Sequence, residues 1–277
     1  FITRFARVYT PIVVSLAILV AIIPSLFTGD WSKWCYTALT FLVISCPCAL
    51  VLSVPLAFFS GIGNASKKGI LLKGGLVIEA LSKIKAVALD KTGTITTGVF
   101  AVQSLEPVDG VSKESLLGLA ASVEVASNHP IAMSIVAEVL VAYDGQYMGH
   151  LLISDAIRPD SVAAIACIKN KGITTLMLTG DSQASANYVA NQTAVDEVKA
   201  HLLPQDKLSS VQSFRKLYGP TMFVGDGIND APVLAGADVG GAMGSGADAA
   251  IEAADVVFMN SSLYSLAHVL DFSVATV

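Results

Sequence analysis

Three short polar segments carry residue types that together suit the transfer of a phosphoryl group. A carboxylate such as that of Asp90 can attack phosphorus and form an acyl phosphate, and backbone N–H groups in glycine-bearing turns hold phosphoryl oxygens. The carboxylates of Asp90 and Asp226 offer the hard oxygen ligands that Mg²⁺ prefers, and Lys207 is predicted to neutralise the transferring charge. The three segments are Asp90-Lys91-Thr92-Gly93-Thr94, Thr179-Gly180-Asp181 and Gly225-Asp226-Gly227.

Each polar segment follows a short run of β-prone residues, at positions 84–89, 174–178 and 221–224. Helical stretches at 160–171 and 204–217 separate these runs. Alternating strands and helices predict an α/β fold with a doubly wound parallel sheet. Because ligands bind beyond the carboxyl ends of such strands, we expect the three segments to line one pocket. The alternative is three unrelated turns that happen to contain aspartate.

The composition indicates a chain that lies partly in a membrane. Of its 277 residues 53% are hydrophobic and 14% are charged, and the mean hydropathy is +0.66, whereas soluble domains carry roughly 25% charged residues. The net charge of −5 provides no basic surface for nucleic acid. Four cysteines are too few and too unevenly placed for a disulfide framework.

Two apolar stretches, at residues 8–27 and 36–59, are predicted to cross the membrane as a helical hairpin. At about 1.5 Å per residue each reaches the roughly 30 Å of a bilayer core. A pair of buried helices in a soluble protein is the alternative. Five basic residues lie before the first stretch or after the second, whereas the loop between them holds one lysine, Lys33, beside Asp30. The positive-inside rule therefore predicts a multi-pass protein with both ends of the hairpin cytosolic. The five basic residues are Arg4, Arg7, Lys67, Lys68 and Lys73.

The second stretch contains Cys46-Pro47-Cys48. On a regular helix two residues at this spacing point apart, but proline opens the helix and can bring both sulfurs to one side. Thiolates select soft metal ions, so the motif is a candidate metal site that needs further ligands from elsewhere. A proline kink flanked by two packing cysteines explains the segment equally well.

The motifs resemble those of a known family. The three polar segments, with the last one extended to Pro232, resemble the signature set of P-type ATPases. Cys46-Pro47-Cys48 and Ser127-Asn128-His129-Pro130 resemble the branch that transports heavy metals, and the residues around Cys46 look most like zinc, cadmium and lead exporters, with copper exporters second.

The resemblance implies a haloacid-dehalogenase-like fold and the phosphorylation of Asp90 by ATP. It implies that Asp90, Asp226 and the main chain of Thr92 hold Mg²⁺. It assigns the transported Zn²⁺, Cd²⁺ or Pb²⁺ to Cys46 and Cys48. The residues that it places around the phosphate are Thr179, Gly180, Asp181, Lys207, Asn229 and Asp230.

ATP contacts are the less specific part of the resemblance. It implies that His129, next to Pro130, and Arg158 at the hinge help to hold ATP. A histidine before a helix-starting proline, and a surface ion pair of Arg158, are the alternatives.

Many phosphatases of this fold keep an aspartate two residues after the nucleophile as general acid/base. Thr92 stands there in this chain, which should lengthen the life of an aspartyl phosphate and argues against a membrane-tethered phosphatase.

Four regions are expected. Residues 1–83 form the transmembrane hairpin, residues 84–98 and 155–260 the phosphorylation domain, residues 99–154 a shortened nucleotide-binding domain, and residues 261–277 a C-terminal helical segment. Within the third region, helices are predicted at 112–125 and 130–141, followed at once by a hairpin at 141–147 around Asp144-Gly145. A helix that runs into a strand without a stop signal suggests an internal deletion.

Parts of the family pattern are missing from this sequence. It contains no Thr-Gly-Glu tripeptide of an actuator domain, and the helices that complete the metal site are also absent. We expect an adjacent chain to be one source of these parts. The alternative is a catalytically incomplete fragment that binds metal in the membrane.

Overall fold

The computed structural model describes residues 2–45, 48–124 and 137–276. The chain divides into two compact units, Phe1–Phe59 and Ser60–Val277. The first is purely helical where it is described, and the second contains all of the described strands.

The first unit consists of helices α1 (Ile2–Thr28) and α2 (Trp31–Ile44) and the beginning of α3 (Cys48–Lys67). The Tyr9 hydroxyl near the start of α1 donates to the Ser45 carbonyl at the end of α2 (2.5 Å), so the two helices pair as a hairpin. Large apolar side chains cover the outside, for example Phe27, which is 86% exposed. Within the described residues, Arg7–Thr28 of α1 is the one helix that is long and apolar enough to span a membrane.

The second predicted span is not one helix. It is divided between α2 and α3, and Ser45 forms a turn at the end of α2. Helix α2 has 14 residues, which is shorter than the about 20 needed to cross a bilayer. The interruption adjoins Cys46 and Pro47, which lie outside the described residues, and Cys48 begins α3. The interruption between the two helices lies where the proline was predicted to open the helix.

The second unit is built on a seven-stranded sheet, and the predicted doubly wound arrangement is confirmed. The spatial order is β1-β10-β9-β8-β2-β6-β7, and all neighbours are parallel except β1 and β10. The central strands are buried on both faces, as is usual when helices cover a parallel sheet. The strands are β1 (Ile70–Leu72), β2 (Ala86–Asp90), β6 (Thr174–Leu178), β7 (Glu197–Lys199), β8 (Thr221–Gly225), β9 (Val239–Met243) and β10 (Val256–Phe258).

Helices flank this sheet and bury their apolar faces against it. One core cluster contains Phe214, Phe223, Leu176 and Leu178, each at most 2% exposed. The helices are α4 (Gly75–Leu81), α6 (Ser161–Asn170), α7 (Gln183–Thr193), α8 (Pro204–Tyr218), α9 (Ala231–Gly236), α10 (Asp248–Ala253) and α11 (Leu263–Thr276).

Helix α8 shows how local sequence sets an element. It begins with Pro204, whose missing N–H is not needed in the first turn. The Asp206 carboxylate accepts from the Leu203 N–H (3.2 Å), and Gly219 ends the helix at φ +98°. These caps fix where Lys207 stands, because it lies in the first turn.

A smaller antiparallel sheet, in the order β3-β5-β4, leaves the main sheet after β2 and returns before α6. Its elements are β3 (Thr96–Pro107), α5 (Lys113–Glu124), β4 (Ala137–Tyr143) and β5 (Gln146–Ile157). The helix predicted at 112–125 and the hairpin at Asp144-Gly145 are confirmed, and both turn residues have positive φ. The helix predicted at 130–141 is wrong for residues 137–141, which form β4 because they pair with β5. Residues 125–136, including His129 and Pro130, lie outside the described residues.

Candidate active site

The candidate site lies where three neighbouring strands end. Strand β2 is central, and Asp90 at its end pairs in register with Leu178, the last residue of β6. On the other side Leu89 is level with Val224 of β8, one residue before Gly225. Thr179 follows Leu178 directly in the sequence, and Asp226 follows Gly225. The predicted meeting of the three polar segments at one sheet edge is therefore confirmed.

The loop after Asp90 is shaped by Gly93, which has φ +73°. A Cβ at this position would lie 1.7 Å from Oδ2 of Asp226, which no side chain tolerates. Glycine is thus needed both for the left-handed backbone and for the close approach of the Asp226 carboxylate. Thr92, before it, has an exposed side chain.

Lys207 connects the acidic residues of the site. Its Nζ lies 2.6 Å from Oδ1 of Asp90 and 2.8 Å from Oδ1 of Asp230. The side chain of Lys207 is 11% exposed, and those of Asp90 and Asp230 are 9% and 3% exposed. Charged hydrogen bonds of this kind are stronger than neutral ones, so Lys207 is held firmly against the predicted nucleophile.

Burial and mutual repulsion perturb the carboxyl groups. Burial, with repulsion from Asp230 second, raises the pKa of Asp90 to about 7 despite the opposing charge of Lys207. Burial, again followed by repulsion from Asp230, raises the pKa of Asp226 to about 6. Burial opposes the charged form of Lys207, but the charges of Asp90 and Asp230 outweigh it and raise the pKa of the ammonium group. Such shifts are typical of active sites.

The donor set fits a magnesium ion. Carboxylate oxygens of Asp90, Asp226 and Asp230 lie within 4.8 Å of one another, and Mg²⁺ takes one or two protein carboxylates and oxygen ligands throughout. Both oxygens of Asp230 are already engaged, Oδ1 by Lys207 and Oδ2 by the Gly227 N–H (3.2 Å). Asp90 and Asp226 would hold the ion, and Asp230 orients Lys207. The magnesium contact predicted for the main chain of Thr92 stays a prediction.

The other residues predicted to surround the phosphate differ in their exposure and in their partners. Thr179 is 2% exposed, Gly180 is exposed beside it, and Asn229 is exposed on a 3-10 turn, Ile228–Asp230. The Asp181 carboxylate forms an ion pair with Lys91. No role was predicted for Lys91 from the sequence, although a lysine immediately after a buried strand and its predicted nucleophile was a usable signal.

Arg158, predicted to contact ATP, lies beside the loop that follows Asp90. Its Nη2 donates to the Gly93 carbonyl (2.6 Å), and its backbone N–H donates to the Ile95 carbonyl (3.1 Å). At the same hinge the Thr96 hydroxyl donates to the Asp155 carboxylate. The strands that leave and re-enter the main sheet are thus tied to the loop that follows Asp90.

Comparisons with known proteins agree with this geometry. A family model described as haloacid dehalogenase-like hydrolase matches residues 84–238. The chain is 42% identical to a cadmium, zinc and cobalt-transporting ATPase of Bacillus subtilis, with 98% of the chain and 47% of the relative aligned. It is 35% identical to a zinc/cadmium/lead-transporting P-type ATPase of Escherichia coli, with 100% of the chain and 46% of the relative aligned.

Among solved structures, a zinc-transporting PIB-type ATPase in the E2·Pi state superposes with a TM-score of 0.91 at 34% identity, covering 100% of this chain and 55% of that chain. The chain spans about half the length of the curated relatives it matches. The match with the Bacillus protein extends over 331 residues, although this chain has only 277. That relative therefore has additional residues inside the matched region.

Proposed function

Because the chain belongs to the haloacid dehalogenase-like hydrolase family and aligns over nearly its whole length with metal-transporting P-type ATPases, we propose that it forms the phosphorylation centre and part of the membrane path of a heavy-metal exporter. ATP donates its γ-phosphoryl group to Asp90, and the resulting phosphoenzyme drives export of a soft divalent cation such as Zn²⁺, Cd²⁺ or Pb²⁺. Copper is the second choice of cargo.

The observation that carries this proposal is the contact between Lys207 and Asp90, at 2.6 Å. In the proposed step a carboxylate oxygen of Asp90 forms a bond to the γ-phosphorus while the bond from phosphorus to the ADP oxygen breaks. Lys207 offsets the charge on the transferring group. Bound Mg²⁺ would neutralise further charge on the phosphate oxygens. The Asp90 carboxylate must lose its proton to attack, and cation binding favours that loss.

Thr92 supports a long-lived intermediate. Its side chain is two residues from the proposed nucleophile, where a carboxylate could activate water as a general base. Threonine cannot act as that base at neutral pH. We therefore propose that the phosphoenzyme on Asp90 persists, as a pump that moves while phosphorylated requires.

The exposed apolar surface of α1 and α2 supports a location in a membrane. We propose the hairpin orientation given by the basic residues, with both ends cytosolic. The described residues show an interruption between Ser45 at the end of α2 and Cys48 at the start of α3, and irregular backbone at such a place can line a site. Cys46 and Cys48 belong to this part of the sequence. They are proposed as ligands of the transported cation, with further ligands from segments outside this chain.

The proposed domain division keeps residues 84–98 and 155–260 as the phosphorylation domain and residues 99–154 as a shortened nucleotide-binding domain. The small sheet of β3, β4 and β5 supports it, because it inserts between β2 and α6. ATP is proposed to contact Arg158 and, next to Pro130, His129. The proposed partners are membrane lipid, ATP and the metal cation.

Labelling with radioactive acetyl phosphate and Mg²⁺ tests the phosphorylation step without depending on the nucleotide-binding domain. We expect acid-stable, hydroxylamine-sensitive label on wild-type protein and none on Asp90→Asn. Asp109→Asn, an exposed aspartate in a turn, is the matched control and should label normally. Equal labelling of Asp90→Asn would refute the assignment of the nucleophile.

Zn²⁺-stimulated hydrolysis of ATP by the purified chain in lipid tests the coupling to metal. Stimulation that disappears in the Cys46→Ala/Cys48→Ala variant supports export through this path. A flat response to Zn²⁺, with metal binding that still depends on the two cysteines, would identify a metal-binding fragment without transport activity.

A further inference from the structure

Lys91, immediately after the proposed nucleophile, is buried although lysine is almost never buried without a partner. Its side chain is 3% exposed and its ammonium group forms an ion pair with the Asp181 carboxylate. Nζ also lies 3.4 Å from the Ser185 hydroxyl in the first turn of α7, and that hydroxyl lies 3.4 Å from Oδ2 of Asp181. The three side chains form one polar cluster that joins the loop after β2 to the loop after β6.

This cluster reaches the proposed phosphate site through the backbone of Asp181. The Asp181 N–H donates to the Thr179 hydroxyl oxygen (3.1 Å), and the Asp181 carbonyl accepts from the His201 N–H (2.9 Å). A hydroxyl that accepts a hydrogen bond on one side retains its own proton for donation in another direction. The orientation of Thr179 therefore depends on where Asp181 is held.

We propose that Lys91 and Asp181 act as one positioning unit, which fixes residues 179–181 so that the Thr179 hydroxyl and the Gly180 N–H face the phosphoryl group. The inference rests on the proposed function, because it assumes that this group sits beside Asp90. Lys91 is a positioning residue and not a catalytic one. Its Nζ is committed to Asp181 and Ser185, whereas Lys207 supplies the ammonium group that touches Asp90.

Simple charge effects predict a different pattern from positioning. If the two side chains acted on the phosphate only through their charge, removing Lys91 would weaken anion binding and removing Asp181 would strengthen it. A positioning unit responds in one direction, because losing either partner releases the same loop. The effects of the two substitutions on phosphate binding are also not additive, because the first already releases the loop and the second removes no further interaction.

The experiment compares Lys91→Met, Asp181→Asn and the double variant with wild-type protein. Isothermal titration calorimetry with inorganic phosphate at saturating Mg²⁺ gives Kd, acetyl phosphate labelling gives the half-saturating concentration and maximal rate, and thermal unfolding gives Tm. Misplacement by about 1 Å costs up to about a hundredfold in such sites, so we expect each single variant to weaken phosphate binding by about tenfold to a hundredfold. The double variant should be no weaker than the worse single variant.

Stability separates positioning from a structural role. Asp181→Asn leaves the buried ammonium group of Lys91 without its partner and should unfold at a lower temperature, whereas the double variant removes that charge as well and should regain Tm. We expect that recovery without a recovery of phosphate affinity. Lys91→Arg, which keeps the charge, should restore part of the affinity. Lys85→Met is the matched control, because Lys85 is exposed and lies immediately before β2, and this variant should match wild type.

Three results would overturn the inference: opposite shifts in Kd for Lys91→Met and Asp181→Asn, recovery of both Tm and affinity in the double variant, or no phosphate binding in wild type. The proposed function fails in a different way. Wild type could bind phosphate and both single variants bind it more weakly, while Asp90 takes no label. That result would support the positioning unit and contradict the proposed phosphorylation of Asp90.

Discussion

Replacing Gly93 by alanine should separate backbone strain from loss of the magnesium site. The new Cβ would lie 1.7 Å from Oδ2 of Asp226, while real Cβ contacts are essentially never below 3.0 Å. The Asp226 carboxylate must therefore move by more than about 1 Å, a shift of the size that costs up to about a hundredfold in organised sites. The φ of +73° adds about 1–2 kcal/mol of backbone strain.

Gly172 provides a matched control for the strain alone. Its φ is +72°, and a Cβ there would meet nothing within 4 Å. Gly93→Ala and Gly172→Ala should both lower the free energy of unfolding by about 1–2 kcal/mol, measured in urea. In acetyl phosphate labelling, only Gly93→Ala should raise the half-saturating Mg²⁺ concentration, by about tenfold or more.

Labelling of Gly93→Ala with the Mg²⁺ dependence of wild type would refute the reasoning, because it would mean that Asp226 either does not move or does not hold the ion. A rise that Gly172→Ala shares equally would also contradict it. The effect would then come from general destabilisation and not from the clash with Asp226.

Three further predictions concern charge and capping. The folded-state pKa of Asp226 is raised to about 6 from 3.8. The contribution of Asp226 to stability is therefore complete below about pH 4 and is lost as the pH rises through about 6. Without metal, Asp226→Asn should raise Tm at pH 8 and leave it nearly unchanged at pH 3.5. Lys207→Met should slow labelling of Asp90 by about tenfold to a hundredfold, which corresponds to the loss of one charged hydrogen bond. Lys216 is exposed on the same helix, α8, and Lys216→Met should leave the labelling rate unchanged. The Asp160 carboxylate accepts from the Ser262 hydroxyl (2.5 Å), just before α11, and from the Tyr264 N–H (3.2 Å) in its first turn. Asp160→Ala should therefore lower the free energy of unfolding in urea by about 1 kcal/mol without changing the labelling rate per folded molecule.

The main sheet was predictable because each of its signals is local. Short β-prone runs ending in polar glycine-bearing turns, separated by helical stretches, define strands β2, β6 and β8 to within two residues. A helical segment was also predicted at 261–277, and α11 (Leu263–Thr276) lies there. In contrast, Ala137 and the four residues after it continue a plausible helical pattern, and only pairing with β5 makes them a strand.

Parts of the site were beyond sequence reasoning because they depend on contacts between distant residues. Asp181 and Lys91 are 90 positions apart in sequence, and nothing local indicates that the Asp181 carboxylate pairs with Lys91. Arg158 was assigned to ATP, but its described partner is the Gly93 carbonyl. The orientation of a long charged side chain is decided by its neighbours in the folded protein.

The sequence by itself determined which residues could react. A carboxylate after a buried strand, glycine-bearing turns after two more, and an apolar segment long enough for a bilayer are properties of residue type and spacing. The tertiary structure alone decided the environment of those groups. It placed Lys207 2.6 Å from Asp90, and it raised the pKa values of Asp90 and Asp226 by burial. Burial and charge proximity arise only when separate elements pack together, and for that reason no local pattern records them.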